Sequence, residues 1–283
     1  MNLGLLKVDV LGMSIWEFTP FVESRLRAAP AALREINADI VALQEIYRIR
    51  HRAFLAESLR DLYPYSFFTR RRRFVGLDNG LMLLARYPIE GAGFVPFEHN
   101  TLDERLMARK GFVHAIATVG GGAPVHLLNV HTTAGGVMHH PEALRTREIR
   151  SRQIAQLLSA GGQPAGEGGL IVGDLNAGPG VSPENYKQVL DAGYLDAWVL
   201  APGQRSDNGG ITWDIKNPLN KESPHATSPS QRIDYVFAHR ELADRFHVRE
   251  ARVVLSHPRV LVDGGAQVTV SDHYGLLVQL SSR

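Results

Sequence analysis

Three short segments carry side chains able to share acid–base or metal chemistry: Gly173-Asp174-Leu175-Asn176, Gln231-Arg232-Ile233-Asp234-Tyr235 and Ser271-Asp272-His273. Asp174 and Asn176 stand two apart, putting an acceptor and an amide on one edge that suits a water, a phosphate oxygen or a hard metal ion. Asp272 beside His273 brings a carboxylate and an imidazole in together. Glu45, near the end of the apolar run Asp39 to Ile46, and His131, closing Val125 to Val130, add another acid and imidazole. Taken singly, each reads as a solvated strand end, a structural histidine or a turn. Their recurrence at the ends of successive apolar runs points to one site.

Those runs are the elements that must position the site. The run Gly169-Leu170-Ile171-Val172 reads as a buried strand leading into Asp174, and α/β proteins keep their chemistry at such carboxyl ends. Further strands are predicted over Asp39 to Ile46, Gly80 to Ala85, Gly111 to Val119, Val125 to Val130, Ile233 to Ala238 and Leu276 to Leu280. Phe21, Val22, Leu26, Leu33 and Ile36 recur at helical spacing, predicting a helix over Pro20 to Ala38. Others are predicted over His51 to Leu62, Arg145 to Leu158 and Glu184 to Ala192. The glycine-rich stretches Gly120 to Gly122, Gly161 to Gly169 and Gly203 to Gly210 read as loops, because strands continue on both sides. Residues 1–283 are therefore read as a single α/β domain with mixed sheets.

The chain has 31 basic and 29 acidic residues, so its net charge of +2 says little about polyanion partners. It has no cysteine, which excludes disulfides, thiolate metal sites and cysteine nucleophiles. Any metal must be held by oxygen or imidazole, favouring Mg²⁺, with Mn²⁺ or Ca²⁺ as substitutes. No apolar run reaches the roughly 20 residues that span a bilayer. The amino terminus lacks a signal-peptide pattern, so a cytoplasmic location is expected. Oligomeric state is left open.

In chain order, Asn2, Leu43-Gln44-Glu45, Asn79-Gly80, Asn129-Val130-His131-Thr132, Gly173-Asp174-Leu175-Asn176, Arg232-Ile233-Asp234-Tyr235 and Ser271-Asp272-His273 resemble the motifs of the endonuclease/exonuclease/phosphatase superfamily. The resemblance covers nearly the whole chain. It implies a deoxyribonuclease I-like, four-layer α/β/β/α sandwich, two mixed β-sheets packed face to face with helices outside. It also implies Mg²⁺-dependent cleavage of a phosphate ester. In the family the residue matching Asn2 closes a first strand, whereas here only Met1 precedes it. Either that strand is lost or the natural start lies upstream.

The residue types suit this chemistry, since an anionic phosphodiester needs a cation, a base and donors to its oxygens. Glu45, Asn2 and Asp272 are the expected metal side. His273, oriented by Asp234, is expected to act as general base on the attacking water. Asp174 would position that water or a second metal, and the division of the base role between Asp174 and His273 stays open. Asn176 would donate to a phosphoryl oxygen. His131 would stabilise charge on the transferred group or the leaving oxygen. Asn79, Arg109 and Trp213 are the candidate substrate contacts, and a core-capping role for Trp213 is equally open.

The segments Asn79 to Ile89, Thr212-Trp213-Asp214 with Asn217-Pro218-Leu219, and Asn2 to Leu6 are similar to those of sphingomyelinase-like phosphodiesterases. A phospholipid or other small phosphodiester is therefore the expected substrate. A DNA or RNA nuclease, or a phosphatase, using the same site is the alternative. A catalytically silent binding module gives no reason for the acids and imidazoles to gather. The run Arg70 to Arg73 beside Phe67, Phe68 and Phe74 can track a nucleic-acid backbone, meet anionic headgroups of a membrane surface, or form a solvated loop. Leu102 to Lys110, with Arg105, Arg109 and Lys110, is a second basic stretch. The adjacent His139-His140 do not share a face and read as a loop.

Overall fold

Alternation along the strands sorts the apolar side chains into separate cores. The structure, a computed structural model, describes the chain except for residues 11–12, 71–76, 123, 137–138, 162–168, 205–208, 222 and 224. A six-stranded sheet contains, from edge to edge, Tyr194–Asp196, Asp234–His239, Gly169–Asp174, Pro124–His131, Gly111–Thr118 and Ile89–Pro96. Within it the pair Pro124–His131 and Gly169–Asp174 runs parallel and the other pairs run antiparallel. Phe112, Leu128, Val130, Ile171 and Phe237 face one side, where they pack with Ile154 and Leu157 of the helix Leu144–Gly161 and Val189 of the helix Pro183–Asp191. One residue along, Val113, Leu127, Leu170 and Ala238 face the other side and pack with Leu81 and Leu83.

A second sheet joins Ile40–Leu43, Met82–Ala85 and Tyr65–Phe67. Leu83 faces the first sheet, whereas Met82 and Leu84 turn outward to Leu26 and Leu33 of the helix Val22–Ile36 and Leu55 of the helix Ile49–Ser58. The result is helix, sheet, sheet, helix, the expected α/β/β/α sandwich. The amino-terminal segment extends the second sheet: Asn2 bridges Gln44 in parallel, and the Leu3 and Leu5 amides donate to the Gln44 and Glu45 carbonyls at 3.0 and 3.1 Å.

A buried amide fixes the sheets relative to one another. Asn129 lies on the inward face of its strand, accepts from Gln44 Nε2 at 2.7 Å, and donates to the Leu43 and Met82 carbonyls at 3.2 and 3.1 Å. The long ribbon Phe246–Val254 with Gly275–Ser282 carries the last turn, Ser271 to His273, into its second strand.

Several elements differ from the sequence expectation. The second helix runs over Ile49–Ser58, starting and ending earlier than His51 to Leu62. The strand Ile89–Pro96 escapes the pattern because it lies at a sheet edge, where glycine and proline are tolerated. The strand Phe246–Val254 is masked by its charged, solvent-facing positions. Leu102–Met107, read as a basic stretch, is a helix closed by a Thr101–Glu104 capping box. Arg70 packs over the Phe68 ring at 5.4 Å. Residues 71–73 of the arginine run with the flanking residue 74, and parts of two glycine-rich stretches, lie outside the described residues. Among the described residues, no helix is long and apolar enough to cross a membrane.

Candidate active site

The inward parity that builds the inter-sheet core also builds the site at its end. His131 pairs opposite Asp174, and Asp174 opposite Asp234, so the three stand in one row across three adjacent strands. Each continues the inward series of its own strand: Leu127 and Asn129 to His131, Leu170 and Val172 to Asp174, and Val236 back to Asp234. Glu45 follows the neighbouring strand of the second sheet and reaches the row from across the gap. Its Oε1 lies 3.5 Å from His131 Nε2, which in turn lies 3.6 Å from Asp174 Oδ2.

Asp234 Oδ2 and His273 Nδ1 are 2.9 Å apart, a buried carboxylate–imidazole pair. His273 is held from behind as well, because its amide donates to Ser271 Oγ at 3.1 Å and its backbone bridges Trp213. Asp272, which lines the same cavity, accepts from Thr19 Oγ1 and Ser271 Oγ, each at 3.0 Å. Gly4 makes room for it: a Cβ there would lie 2.0 Å from Asp272 Oδ1, and its φ of +54 suits glycine. Asn2 receives the Gly4 amide on Oδ1 at 2.9 Å, which points its Nδ2 toward Asp174 Oδ2 at 3.1 Å. Asn176 caps Asp174 through its own amide at 2.8 Å and donates its Nδ2 to the Thr132 carbonyl at 3.0 Å. Glu45 and Asn176 both hold positive φ, 59 and 48, conformations of local strain that recur at functional sites.

Close carboxylates and burial set the electrostatics. Burial pushes Glu45 up to about 7; Lys110 pulls against that rise and Asp272 adds to it. Burial and then the Asp234 charge raise Asp174. Burial opposes ionisation of Asp234, but the His273 charge and hydrogen bond outweigh it and hold the carboxyl below its ordinary value. Burial likewise opposes the His273 cation, yet Asp234, Asp174 and Asp272 push the imidazole up to about 10. His131 goes the other way: burial and the Lys110 cation hold it neutral, well below the usual imidazole range.

A cavity of about 130 Å³ opens onto this row, lined on the chemical side by Glu45, Lys110, Asp174, Asn176, Asp272 and His273. Trp213 lines it too, but Asn79 and Arg109 do not. Asn79 is buried in the scaffold, accepting from the Leu81 amide and donating to Thr69 Oγ1 at 2.8 and 2.9 Å. Among the described lysines and arginines, Lys110 does line the cavity, and its Nζ meets His131 Nε2 at 2.5 Å and the Thr132 carbonyl at 3.3 Å. Only the strand register, which sets Gly111 opposite His131, distinguishes Lys110 from Arg109. The cavity wall also gains His225, which packs on Phe18 at 5.9 Å and which nothing in the linear pattern marked.

The donors include carboxylate oxygens, which a hard divalent cation takes. Asp174, Asp234 and His273 offer donor atoms within 4.8 Å of one another, but His273 Nδ1 and Asp234 Oδ2 already bond each other. Glu45 and Asp272, which line the same cavity and whose charges repel each other, are then the carboxylates whose charge a cation would offset.

A sandwich of this build, with its acids and imidazoles gathered at the end of the inter-sheet gap, has the deoxyribonuclease I-like architecture of phosphate-ester hydrolases. The chain belongs to the Endonuclease/Exonuclease/phosphatase family, which it matches over residues 21–273. It is 28% identical over 198 residues to the inositol phosphosphingolipids phospholipase C of Saccharomyces cerevisiae, covering 66% of this chain and 39% of that protein. It is 22% identical over 215 residues to sphingomyelinase C 2 of Leptospira interrogans, covering 71% of this chain and 33% of that one. The chain thus spans well under half the length of these two relatives. Beta toxin from Staphylococcus aureus shares the fold with a TM-score of 0.77 at 22% identity, covering 100% of this chain and 98% of that one. A beta toxin variant crystallised with bound magnesium ions superposes with a TM-score of 0.72 at 21% identity, covering 98% and 97%.

Proposed function

We propose that this protein is a divalent-cation-dependent phosphodiesterase that hydrolyses the headgroup phosphodiester of a phosphosphingolipid or related phospholipid. The observation that carries the proposal is the in-register row His131–Asp174–Asp234 facing Glu45, with His273 bonded to Asp234 at 2.9 Å. The lipid preference rests on the two phospholipase-type relatives. A cavity of about 130 Å³ is in keeping with a headgroup phosphate entering while the acyl chains stay outside.

Glu45 and Asp272 would hold the cation, Mg²⁺ by the chemistry of the donors, and its charge would offset that of the phosphate and the carboxylates around it. Asp234 keeps His273 in one orientation through Nδ1 and turns Nε2 toward the attacking water; a bound cation would offset the carboxylate charges that hold the imidazole up at about 10, and the neutral ring that results takes the water's proton. Asp174, fixed by Asn2 and the Asn176 amide, accepts from that water and aims it at phosphorus. Lys110 donates toward the developing charge on the phosphoryl oxygens, with neutral His131 beside it as a polar contact. The spare amide hydrogen of Asn176 serves the same oxygens.

The test is a substrate panel of sphingomyelin, an inositol phosphosphingolipid, phosphatidylcholine, plasmid DNA and p-nitrophenyl phosphate, each with Mg²⁺, Mn²⁺, Ca²⁺ or EDTA. Release of phosphorylated headgroup in Mg²⁺, abolished by EDTA, is expected. Faster cleavage of DNA or of the monoester than of any lipid would overturn the lipid assignment.

A further inference from the structure

A second hollow, of about 290 Å³ and polar in character, draws its walls from two of the segments that line the catalytic cavity, 103–105 and 141–145. Arg105 enters it from the helix Leu102–Met107, and Arg145 and Arg152 from the helix Leu144–Gly161. On the longer helix, positions 145, 148, 149 and 152 follow the spacing of one face, so these side chains share a wall by construction.

The side chains of these three arginines are set apart from their neighbours by having no partner among the described residues. Arg147, on the same helix, bonds Glu184 at 3.0 Å, and buried Arg150 donates to the Thr133 and Pro141 carbonyls at 3.1 and 3.0 Å. The side chains of Arg105, Arg145 and Arg152 make no hydrogen bond or ion pair among the described residues, although Glu98 and Glu148 line the same hollow. Its floor is fixed. Gln153 Nε2 donates to the His99 carbonyl at 2.8 Å, and Gln156 takes the Glu98 amide at 2.9 Å and donates to the Pro96 carbonyl at 3.1 Å. Three unpaired guanidinium groups on a pinned floor suit the oxygens of a phosphate.

The surroundings specify the source of that phosphate. Leu102 and Leu144, the first residues of the two helices, are 60% and 66% exposed. Asp103 and Glu104 line the catalytic cavity two residues and one residue before Arg105, and Pro141 lines it three residues before Leu144. Apolar and basic groups therefore border the cavity mouth together, as an anionic bilayer surface would demand.

We infer that the Arg105–Arg145–Arg152 hollow is a docking site for the phosphate of an acidic phospholipid, which holds the catalytic mouth against an anionic membrane. This rests on the lipid-hydrolase reading, and the test separates the two. Flotation with phosphatidylcholine vesicles, with and without phosphatidylglycerol, is compared for wild type and for Arg105→Gln/Arg145→Gln/Arg152→Gln. Turnover of detergent-dispersed sphingomyelin is measured alongside. Wild type should prefer acidic vesicles, and the triple variant should bind them more weakly by on the order of a hundredfold, a factor of roughly five per arginine near the surface. Detergent-phase turnover should be unchanged, and Leu102→Ser/Leu144→Ser should also weaken vesicle binding. Equal binding by wild type and triple variant, or equal binding to neutral and acidic vesicles, would overturn the site. Tighter arginine-dependent binding to a DNA oligonucleotide than to acidic vesicles would overturn the lipid occupant. Absence of lipid turnover in wild type, with vesicle binding intact, would sink the catalytic reading and leave the docking site standing.

Discussion

Replacing Asn129 with Ala tests whether one buried amide sets the spacing between the two halves of the site. Asn129 is fully buried and makes three hydrogen bonds to the opposite sheet, at 2.7, 3.1 and 3.2 Å. Each is worth about 1 kcal/mol net, and Gln44 Nε2 would be left buried without its acceptor at a further cost of about 1 kcal/mol or more. The expected destabilisation is therefore roughly 3 to 4 kcal/mol, the range for breaking a buried polar network. In urea, with a slope of about 3 kcal/mol per molar for a chain this size, the midpoint should fall by roughly 1 M. Because Gln44 precedes Glu45, loss of this tie should also shift Glu45 relative to His131, 3.5 Å away. A misplacement of about 1 Å can cost on the order of a hundredfold in rate. Equilibrium unfolding and steady-state kinetics on the folded variant measure the two effects separately. A midpoint shift under about 0.3 M together with wild-type kcat would refute the reasoning.

Three further predictions concern the site itself. His273→Ala and Asp234→Asn should each lower kcat by on the order of 10² to 10⁴ with the fold retained, as read by steady-state kinetics and circular dichroism; near-wild-type kcat in either would remove the pair from the mechanism. In EDTA, Glu45 binds more protons folded than unfolded between its ordinary value of 4.5 and about 7, so stability should fall as pH rises through that window. Glu45→Gln should flatten the fall, as measured by Tm against pH, and an unchanged slope would contradict the assignment. Gly4→Ala places a methyl against Asp272 and forces a positive φ, and should cost about 1 to 3 kcal/mol with a clear loss of turnover; a variant with wild-type Tm and turnover would show that Asp272 needs no such room.

Much of this arrangement is legible in one dimension because strand parity is. Leu170, Val172 and Asp174 alternate inward, as do Leu127, Asn129 and His131, so an acid or imidazole one step past an apolar series falls at the end of the same gap. The strands Gly111–Thr118 and Gly169–Asp174 follow directly from that pattern. What parity does not carry is register between strands distant in sequence. Arg109 and Lys110 are adjacent basic residues at a strand start, and only the pairing of Gly111 with His131 selects Lys110. Asn79 illustrates the converse: its amide serves Thr69 and the Leu81 backbone, partners that a motif does not reveal. The wall residue His225 comes from an irregular loop, where no periodicity exists to be read.

The central claim is that Glu45 and the His273–Asp234 pair form one cation-dependent phosphodiesterase site. Release of phosphorylated headgroup from sphingomyelin, titrated with Mg²⁺ for wild type and Glu45→Gln, tests it most directly. The account predicts saturable, EDTA-sensitive turnover in wild type. Glu45→Gln should lose nearly all of it and, in an isothermal binding titration, its Mg²⁺ affinity. Turnover that persists in EDTA, or Glu45→Gln that binds Mg²⁺ and hydrolyses lipid as wild type does, would contradict it.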